Sequence, residues 1–260
     1  MYALPKEMIS RVWRAIIEFD MLKENDRVLI GLSGGKDSMF MTACLAQIKK
    51  HAPFSFDLFA FTVDPGFSDD FPIDKLQSFC KTFDIKHYSE KVAIADLITE
   101  KKYSPCFTCA YFRRAATNRM AQELNCNKIA LAHHNDDAVE TFFMNIVTSG
   151  QLRTFLPVTY LSKTNLHVIR PLLYYREQDI KEYIQTLNLQ PLKNLCPHDT
   201  NTMRQEVKDY LPQLNKFNTS AYENLNSAMR MAQNIELWPA KISKQEREEK
   251  FHAFWQKNKQ

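Results

Sequence analysis

The sequence predicts an α/β protein with an open, mainly parallel sheet and helices on both faces. An N-terminal helix precedes this block and a helical C-terminal tail follows it. Three observations carry the prediction. Short apolar, β-branched runs alternate with segments of helical periodicity. The intervals between the runs are long enough for a crossover helix, the connection that joins parallel strands. A glycine-rich loop stands where the first run meets the first inner helix.

Taken in order, residues 5–21 place Met8, Ile9, Val12, Ile16 and Phe19 at roughly helical spacing. Residues 27–32 (RVLIGL) form the first strand, and 38–50 the helix after it, with Met39, Phe40, Cys44, Leu45 and Ile48 inward. A strand at 56–63, a helix at 73–83 and a short strand at 85–89 follow. The long stretch 107–124 reads as helix, 128–132 as a buried strand and 136–147 as a helix. Residues 188–210 read as a loop containing Cys196 that leads into a helical segment. The expected organisation is an N-terminal helical segment over 1–26, the main domain over 27–210 and a helical extension over 211–260. The mixed-charge run 241–250 (KISKQEREEK) is expected to be a solvated face.

At 260 residues the chain can bury a sizeable core. A balance of 45% hydrophobic and 25% charged residues excludes the disordered class. No stretch approaches the roughly 18 uncharged apolar residues of a membrane span. Residues 1–14 lack the apolar core and cleavage site of a signal peptide, so the expected compartment is the cytoplasm. A formal charge of +4 allows contact with a polyanion without establishing it. The six cysteines read as reduced thiols rather than a disulfide framework.

Of the five glycines, Gly31, Gly34 and Gly35 crowd one strand-to-helix turn that reads Ser33-Gly34-Gly35-Lys36-Asp37-Ser38. Glycines let the backbone curl and aim successive N–H groups at an anion, and the helix N-terminus adds its dipole. Lys36, Ser33 and Ser38 supply a charge and hydroxyls for phosphate oxygens, and Asp37 is placed to meet Mg2+. The spacing fits neither a Walker A loop nor a dinucleotide fingerprint. Asp64 ends the second strand before Pro65-Gly66, a position that serves either a turn or a ligand. The segment ALAHHNDDAVET puts His133, His134, Asp136 and Asp137 where a strand enters a helix. The two carboxylates can cap that helix or face the phosphates and their metal.

Cys106 and Cys109 open the long helix one turn apart, so their thiols share a face at a helix N-terminus. Cys196 is the third thiol outside apolar surroundings. A zinc site with His198 as the fourth ligand and a three-cysteine iron–sulfur cluster with one open iron both fit this count. Cys44, Cys80 and Cys126 read as packed structural thiols.

The SGGKDS loop resembles that of the PP-loop ATPases, the N-type ATP pyrophosphatases, which implies an adenine nucleotide alpha hydrolase-like fold. Members of that superfamily split ATP to AMP and pyrophosphate. The order SGGKDS, CxxC followed by Arg113 and Arg114, HHNDD, IRPL at 169–172, YREQDI at 175–180 and NLC at Cys196 is similar to the tRNA 2-thiocytidine biosynthesis family, TtcA. This family is close to the TtuA-type 2-thiouridine synthetases. The match spans roughly residues 8–210. It implies ATP and Mg2+ as cofactors and a [4Fe-4S] cluster on Cys106, Cys109 and Cys196. It also implies ATP contacts at Ser33, Gly34, Gly35, Lys36, Asp37, Ser38, Asp64 and His133, with magnesium at Asp37 and Asp137. Catalytic roles are expected for Asp136, Arg113 and Lys36. The implied reaction adenylates the C2 oxygen of a tRNA pyrimidine, with cytidine the expected base, and replaces it with sulfur. The implied partners are tRNA, a sulfur donor (free sulfide or a cysteine desulfurase) and a second copy of the chain as a homodimer.

The match departs from the family in residues 101–105 (KKYSP), at Ser149-Gly150-Gln151, and after Cys196, where Pro197-His198-Asp199 follows. These changes bear on the base pocket and the cluster, not on the ATP loop. One alternative is a PP-loop ligase of the tRNA lysidine synthetase type, which needs no cluster. Another is a non-catalytic module that binds a nucleotide or zinc.

Overall fold

The first strand is apolar on both faces. In β1 (Arg27–Gly31), Val28, Leu29 and Ile30 are all fully buried, which is how the centre of a parallel sheet reads. The computed structural model describes residues 4–68, 70–94, 105–193, 196, 203–230 and 241–257. Beside β1 lie β2 (Asp57–Asp64), β3 (Lys86–Lys91), β4 (Lys128–Ala130), β5 (Val158–Leu161) and β6 (Leu166–Ile169). They form one sheet of six strands in the order β3-β2-β1-β4-β6-β5. All neighbours are parallel except β5 and β6, which pair antiparallel with Val158 opposite Ile169.

The helices are α1 (Lys6–Glu18), α2 (Lys36–His51), α3 (Ile73–Thr82), α4 (Pro105–Glu123), α5 (Asn135–Ser149), α6 (Glu177–Thr186), α7 (Met203–Phe217), α8 (Ala221–Ala228) and α9 (Lys244–Lys257). Alternation along β1 sends Val28 and Ile30 to one side of the sheet and Leu29 to the other. The first side packs with α1, α2, α3 and α6 through Val12, Phe40, Leu45, Cys80 and Ile180. The second packs with α4 through Ala116 and Ala121, together with Phe61 and Ile129. Burial pushes the Cys80 thiol up to about 12 and the Cys126 thiol up to about 11, and raises Cys44 further, so all three are packed and inert.

Three expectations change. The β5–β6 hairpin was not predicted, because its strands are four residues long and its turn, Ser162 to Asn165, lacks glycine; Asn165 takes the left-handed conformation instead. The α1 helix is not a separate segment: Met8, Ile9, Val12, Ala15 and Ile16 join the main core, and the Tyr175 hydroxyl donates to the Met8 carbonyl. The main unit runs to Met229 rather than to residue 210, because α7 and α8 pack on α5. The second unit begins at Arg230; within it α9 carries Lys244–Glu248 and Glu246–Lys250 ion pairs along an exposed face. No described helix is long and apolar enough to cross a membrane.

The strand order fixes where a ligand binds. From β1 the chain moves to β2 on one side, while β4 lies on the other. The carboxyl ends of β1 and β4 therefore flank the switch point at which open α/β sheets hold ligands. The SGGKDS loop follows β1, and the HHNDD segment follows β4.

Candidate active site

The loop after β1 curls as the glycines demand. Gly34 takes φ +82°, and a Cβ there would lie 2.6 Å from Leu192 Cδ1. The Leu192 amide also donates to the Gly34 carbonyl at 2.9 Å, so the segment after α6 straps over the loop. Ser38 Oγ donates to the Gly35 carbonyl (2.9 Å) and lies 3.1 Å from Ser33 Oγ, which in turn accepts from the Gly35 amide. These bonds hold the first turn of α2 open towards the switch point. Lys36 Nζ lies 3.0 Å from Asp37 Oδ2 and 3.0 Å from Glu177 Oε1. Burial would lower the Lys36 pKa, but the two carboxylates outweigh it and the net shift is upward, so the ammonium is retained.

The HHNDD segment closes the other side. His134 is buried, and its Nε2 lies 4.0 Å from Asp37 Oδ1 and 3.5 Å from Asp137 Oδ2. Asp136 Oδ2 lies 3.7 Å from His134 Nδ1, so three carboxylates surround one imidazole. Asp37 Oδ1 is buried with no hydrogen-bond partner in the protein, as is His134 Nδ1. An orphaned carboxylate oxygen at the mouth of a phosphate loop suits Mg2+, which takes one or two carboxylates and completes its shell with water and substrate phosphates. Among the described residues no three His, Cys, Asp or Glu side chains gather tightly enough to hold a single ion unaided.

Asp136 and Asp137 have different partners. Asp136, the expected catalytic carboxylate, accepts from Arg176 Nε at 2.9 Å and from the Glu177 amide at 2.6 Å, so in this state it caps α6. Asp137 accepts from the His134 amide in a capping box, pairs with Arg204 at 3.5 Å and faces His134. His133 packs its ring on Phe155, and its Nδ1 is buried without a partner. Burial, aided by Arg170, pushes the His133 pKa down to about 4 against the pull of Asp137. Asp64 is buried and accepts from the Gly66 amide at 2.9 Å, the turn role its Pro-Gly neighbours suggest.

The three cysteines outside the core lie within electrostatic reach of one another, though among the described residues they do not gather tightly enough to hold a metal ion. Cys109 is half-buried, and its pKa is raised by burial, with Arg113 pulling it down and Cys196 and Cys106 pushing it up. Cys196 therefore lies within electrostatic reach of a helix almost ninety residues earlier in the chain. Arg113, one turn past Cys109, has a buried Nε with no partner. It lines a cavity of about 880 Å³ shared with Ser33, Tyr111 and Arg170. Arg114 is exposed, borders the same cavity and donates to the Ala110 carbonyl. Thiols near a guanidinium whose Nε has no partner suit an anionic cluster better than a packed core. His198 lies outside the described residues, as do residues 101–104 of the variant loop before the CxxC and 197–199 after Cys196. A shallower depression of about 500 Å³, lined by Arg27, Asp57 and Lys86, sits at the opposite ends of the strands, away from every one of these groups.

Comparison with known proteins identifies the family. The PP-loop domain family matches residues 6–213. The tRNA-cytidine(32) 2-sulfurtransferase of Nitrosomonas eutropha is 36% identical over 90% of this chain and 75% of its own length. That of Nitrosospira multiformis is 37% identical over 90% and 78%. The chain belongs to the tRNA-cytidine(32) 2-sulfurtransferase family of PP-loop proteins. Among solved structures, the U34-tRNA thiolase NcsA from Methanococcus maripaludis, determined with its [4Fe-4S] cluster, superposes with a TM-score of 0.72 at 26% identity, over 86% of this chain and 76% of that one. The NMN synthetase of Francisella tularensis, at 16% identity and a TM-score of 0.51, shares the fold alone.

Within this family member, several groups at the site escaped sequence reasoning. His134 and Glu177 lie inside segments already singled out, yet only the fold brings them to Asp37 and Lys36. Arg204 and Lys208 carry no motif and reach the site because α7 packs on α5.

Proposed function

We propose that this chain is an ATP-dependent tRNA sulfurtransferase that adenylates the C2 oxygen of a tRNA cytidine and replaces that oxygen with sulfur. The observation that carries the reading is the SGGKDS loop at the switch point, where Ser33 and Arg113 line one cavity, with Cys109 one turn before Arg113 and within electrostatic reach of Cys106 and Cys196. A PP-loop ligase of the lysidine type has no use for three thiols there. The relatives' names point to cytidine 32 as the target.

In this reading the loop amides, Ser33, Ser38 and Lys36 grip the phosphates of ATP, with His133 and Asp64 at the nucleotide, while Asp37 and Asp137 hold Mg2+. The cytidine C2 oxygen attacks the α-phosphorus and pyrophosphate departs. Arg113 offers its unpaired Nε–H to the charge developing on the α-phosphate. Asp136, capped against Arg176, keeps α5 and α6 in register and so orients Asp137 and Glu177 around the loop. Sulfur then takes the place of the adenylated oxygen and AMP leaves. When bound to the three thiols, a [4Fe-4S] cluster would supply a soft iron site that keeps sulfide close to the activated carbon. Free sulfide or a cysteine desulfurase supplies the sulfur, and a homodimer is the proposed assembly.

The test is anaerobic purification followed by iron and acid-labile sulfide analysis and a thionucleoside assay on tRNA with ATP, Mg2+ and sulfide. Iron and sulfide near four per chain, both lost with 2-thiocytidine formation in Cys106→Ala, are expected. Zinc in place of iron, in protein that still releases pyrophosphate, would overturn the thiolation reading and favour the ligase.

A further inference from the structure

The YREQDI segment marks the family resemblance, and its Glu177 does more than pair with Lys36. In the structure this carboxylate is a meeting point for lysines. Oε1 lies 3.0 Å from Lys36 Nζ and 3.3 Å from Lys181 Nζ, and Oε2 lies 2.6 Å from Lys208 Nζ. Lys181 belongs to α6 itself, whereas Lys36 comes from the phosphate loop and Lys208 from α7.

We propose that Lys208 is a second phosphate-binding cation of the ATP site, held beside Lys36 by Glu177 and transferred to the β- and γ-phosphates when ATP enters. The inference rests on the reading of SGGKDS as an ATP loop. One carboxylate holds the ammonium groups of Lys36 and Lys208 close together, with Asp37 also on Lys36 and Glu140 within electrostatic reach of Lys208. The ammonium groups of Lys36 and Lys208 repel one another, and each feels the attraction of the same carboxylate. Stability alone gives little reason for this gathering, since partly exposed ion pairs contribute about 0–1 kcal/mol. An incoming polyphosphate removes the repulsion.

The geometry lets the exchange occur without backbone motion. Lys208 is half-exposed, and a lysine is a point charge on a flexible stem that trades one oxygen for another by rotamer change. Its helix is fixed independently. Val207 is buried, and Arg204, one turn earlier on the same face, binds Asp137 at 3.5 Å and the Thr141 hydroxyl at 3.1 Å. Arg204 thereby sets the rotation of α7 that aims Lys208 at Glu177.

The experiment is calorimetric titration of the full chain with α,β-methylene-ATP in MgCl2, without tRNA, with AMP titrated in parallel. Losing a charge-assisted bond to phosphate predicts that Lys208→Ala weakens α,β-methylene-ATP binding about ten- to hundredfold. AMP, which has no β- and γ-phosphates, binds Lys208→Ala as it binds the wild type. Lys208→Arg recovers most of the affinity, and Lys216→Ala, at the far end of α7, binds as wild type. Unchanged α,β-methylene-ATP affinity in Lys208→Ala makes the lysine a mere tether between α6 and α7 and overturns the proposal. So does an equal loss of AMP binding, which would mean a distorted site. A wild-type chain that binds no α,β-methylene-ATP fails the ATP-loop reading itself, and this inference falls with it.

Discussion

Replacing Gly34 by alanine tests whether the phosphate loop has the shape described. Two costs follow from the coordinates. The residue sits at φ +82°, a conformation that costs a side-chain-bearing residue about 1–2 kcal/mol. The new Cβ would also stand 2.6 Å from Leu192 Cδ1 and 2.9 Å from Leu192 Cγ, so Leu192 must move, and overpacking of this kind costs about 1–3 kcal/mol. The lower ends sum to about 2 kcal/mol, which in a unit of this size lowers the melting temperature by about 4–8 °C. Because the Leu192 amide bonds to the Gly34 carbonyl, the displacement also disturbs the strap that leads towards Cys196. The assay is thermal unfolding alongside titration with α,β-methylene-ATP, and both stability and affinity are expected to fall. Gly35→Ala is the control: its φ lies outside the left-handed region and its Cβ would meet only Ser33 Oγ at 3.4 Å, so its melting temperature should stay near wild type. Adding Leu192→Ala to Gly34→Ala should recover the ligand affinity lost to crowding but not that lost to backbone strain. A Gly34→Ala chain that melts and binds nucleotide as wild type would refute the strained-loop argument.

Two further outcomes can be checked without tRNA. Lys128 and Asp26 form a buried pair at 2.8 Å, with the Lys128 ammonium also donating to the Met21 carbonyl at 2.7 Å. Lys128→Met leaves the buried Asp26 carboxylate without its counter-charge, with only the Lys23 amide and Asn127 Nδ2 still donating to it, and should cost about 3 kcal/mol in chemical denaturation, while Lys128→Met combined with Asp26→Asn should regain much of it. Burial would raise the Glu177 pKa, but hydrogen bonds from Lys208 and Lys36 outweigh it and hold it down at about 2. A depressed carboxylate stabilises the fold fully above its unfolded value near 4.5 and loses that contribution as pH falls through 2. Melting temperatures followed between pH 5 and pH 2 should therefore fall less steeply in Glu177→Gln than in the wild type, and parallel slopes would contradict the assignment.

What could be read before folding was local. The β1–loop–α2 unit announces itself because glycine clustering, apolar alternation and helical periodicity all act within a few residues of one another. The packed thiols Cys44, Cys80 and Cys126 were legible for the same reason, each lying in an apolar neighbourhood of its own segment. The β5–β6 hairpin was not, since two four-residue strands joined by a glycine-free turn offer too little pattern, and the pairing of Val158 with Ile169 supplies what the sequence lacks.

The amino-acid sequence by itself determined the fold class, the phosphate loop and the residue types available to the site. Only the tertiary structure decided how those residues are employed. It committed Asp136 to Arg176 and the start of α6, set His134 between Asp37 and Asp137, and brought Lys208 to Glu177. The physical reason is range. Turns, caps and periodicity are settled by neighbours along the chain. The partner of a charged side chain is settled by which helices pack together, and here the packing of α6 on α2 and of α7 on α5 chose the partners.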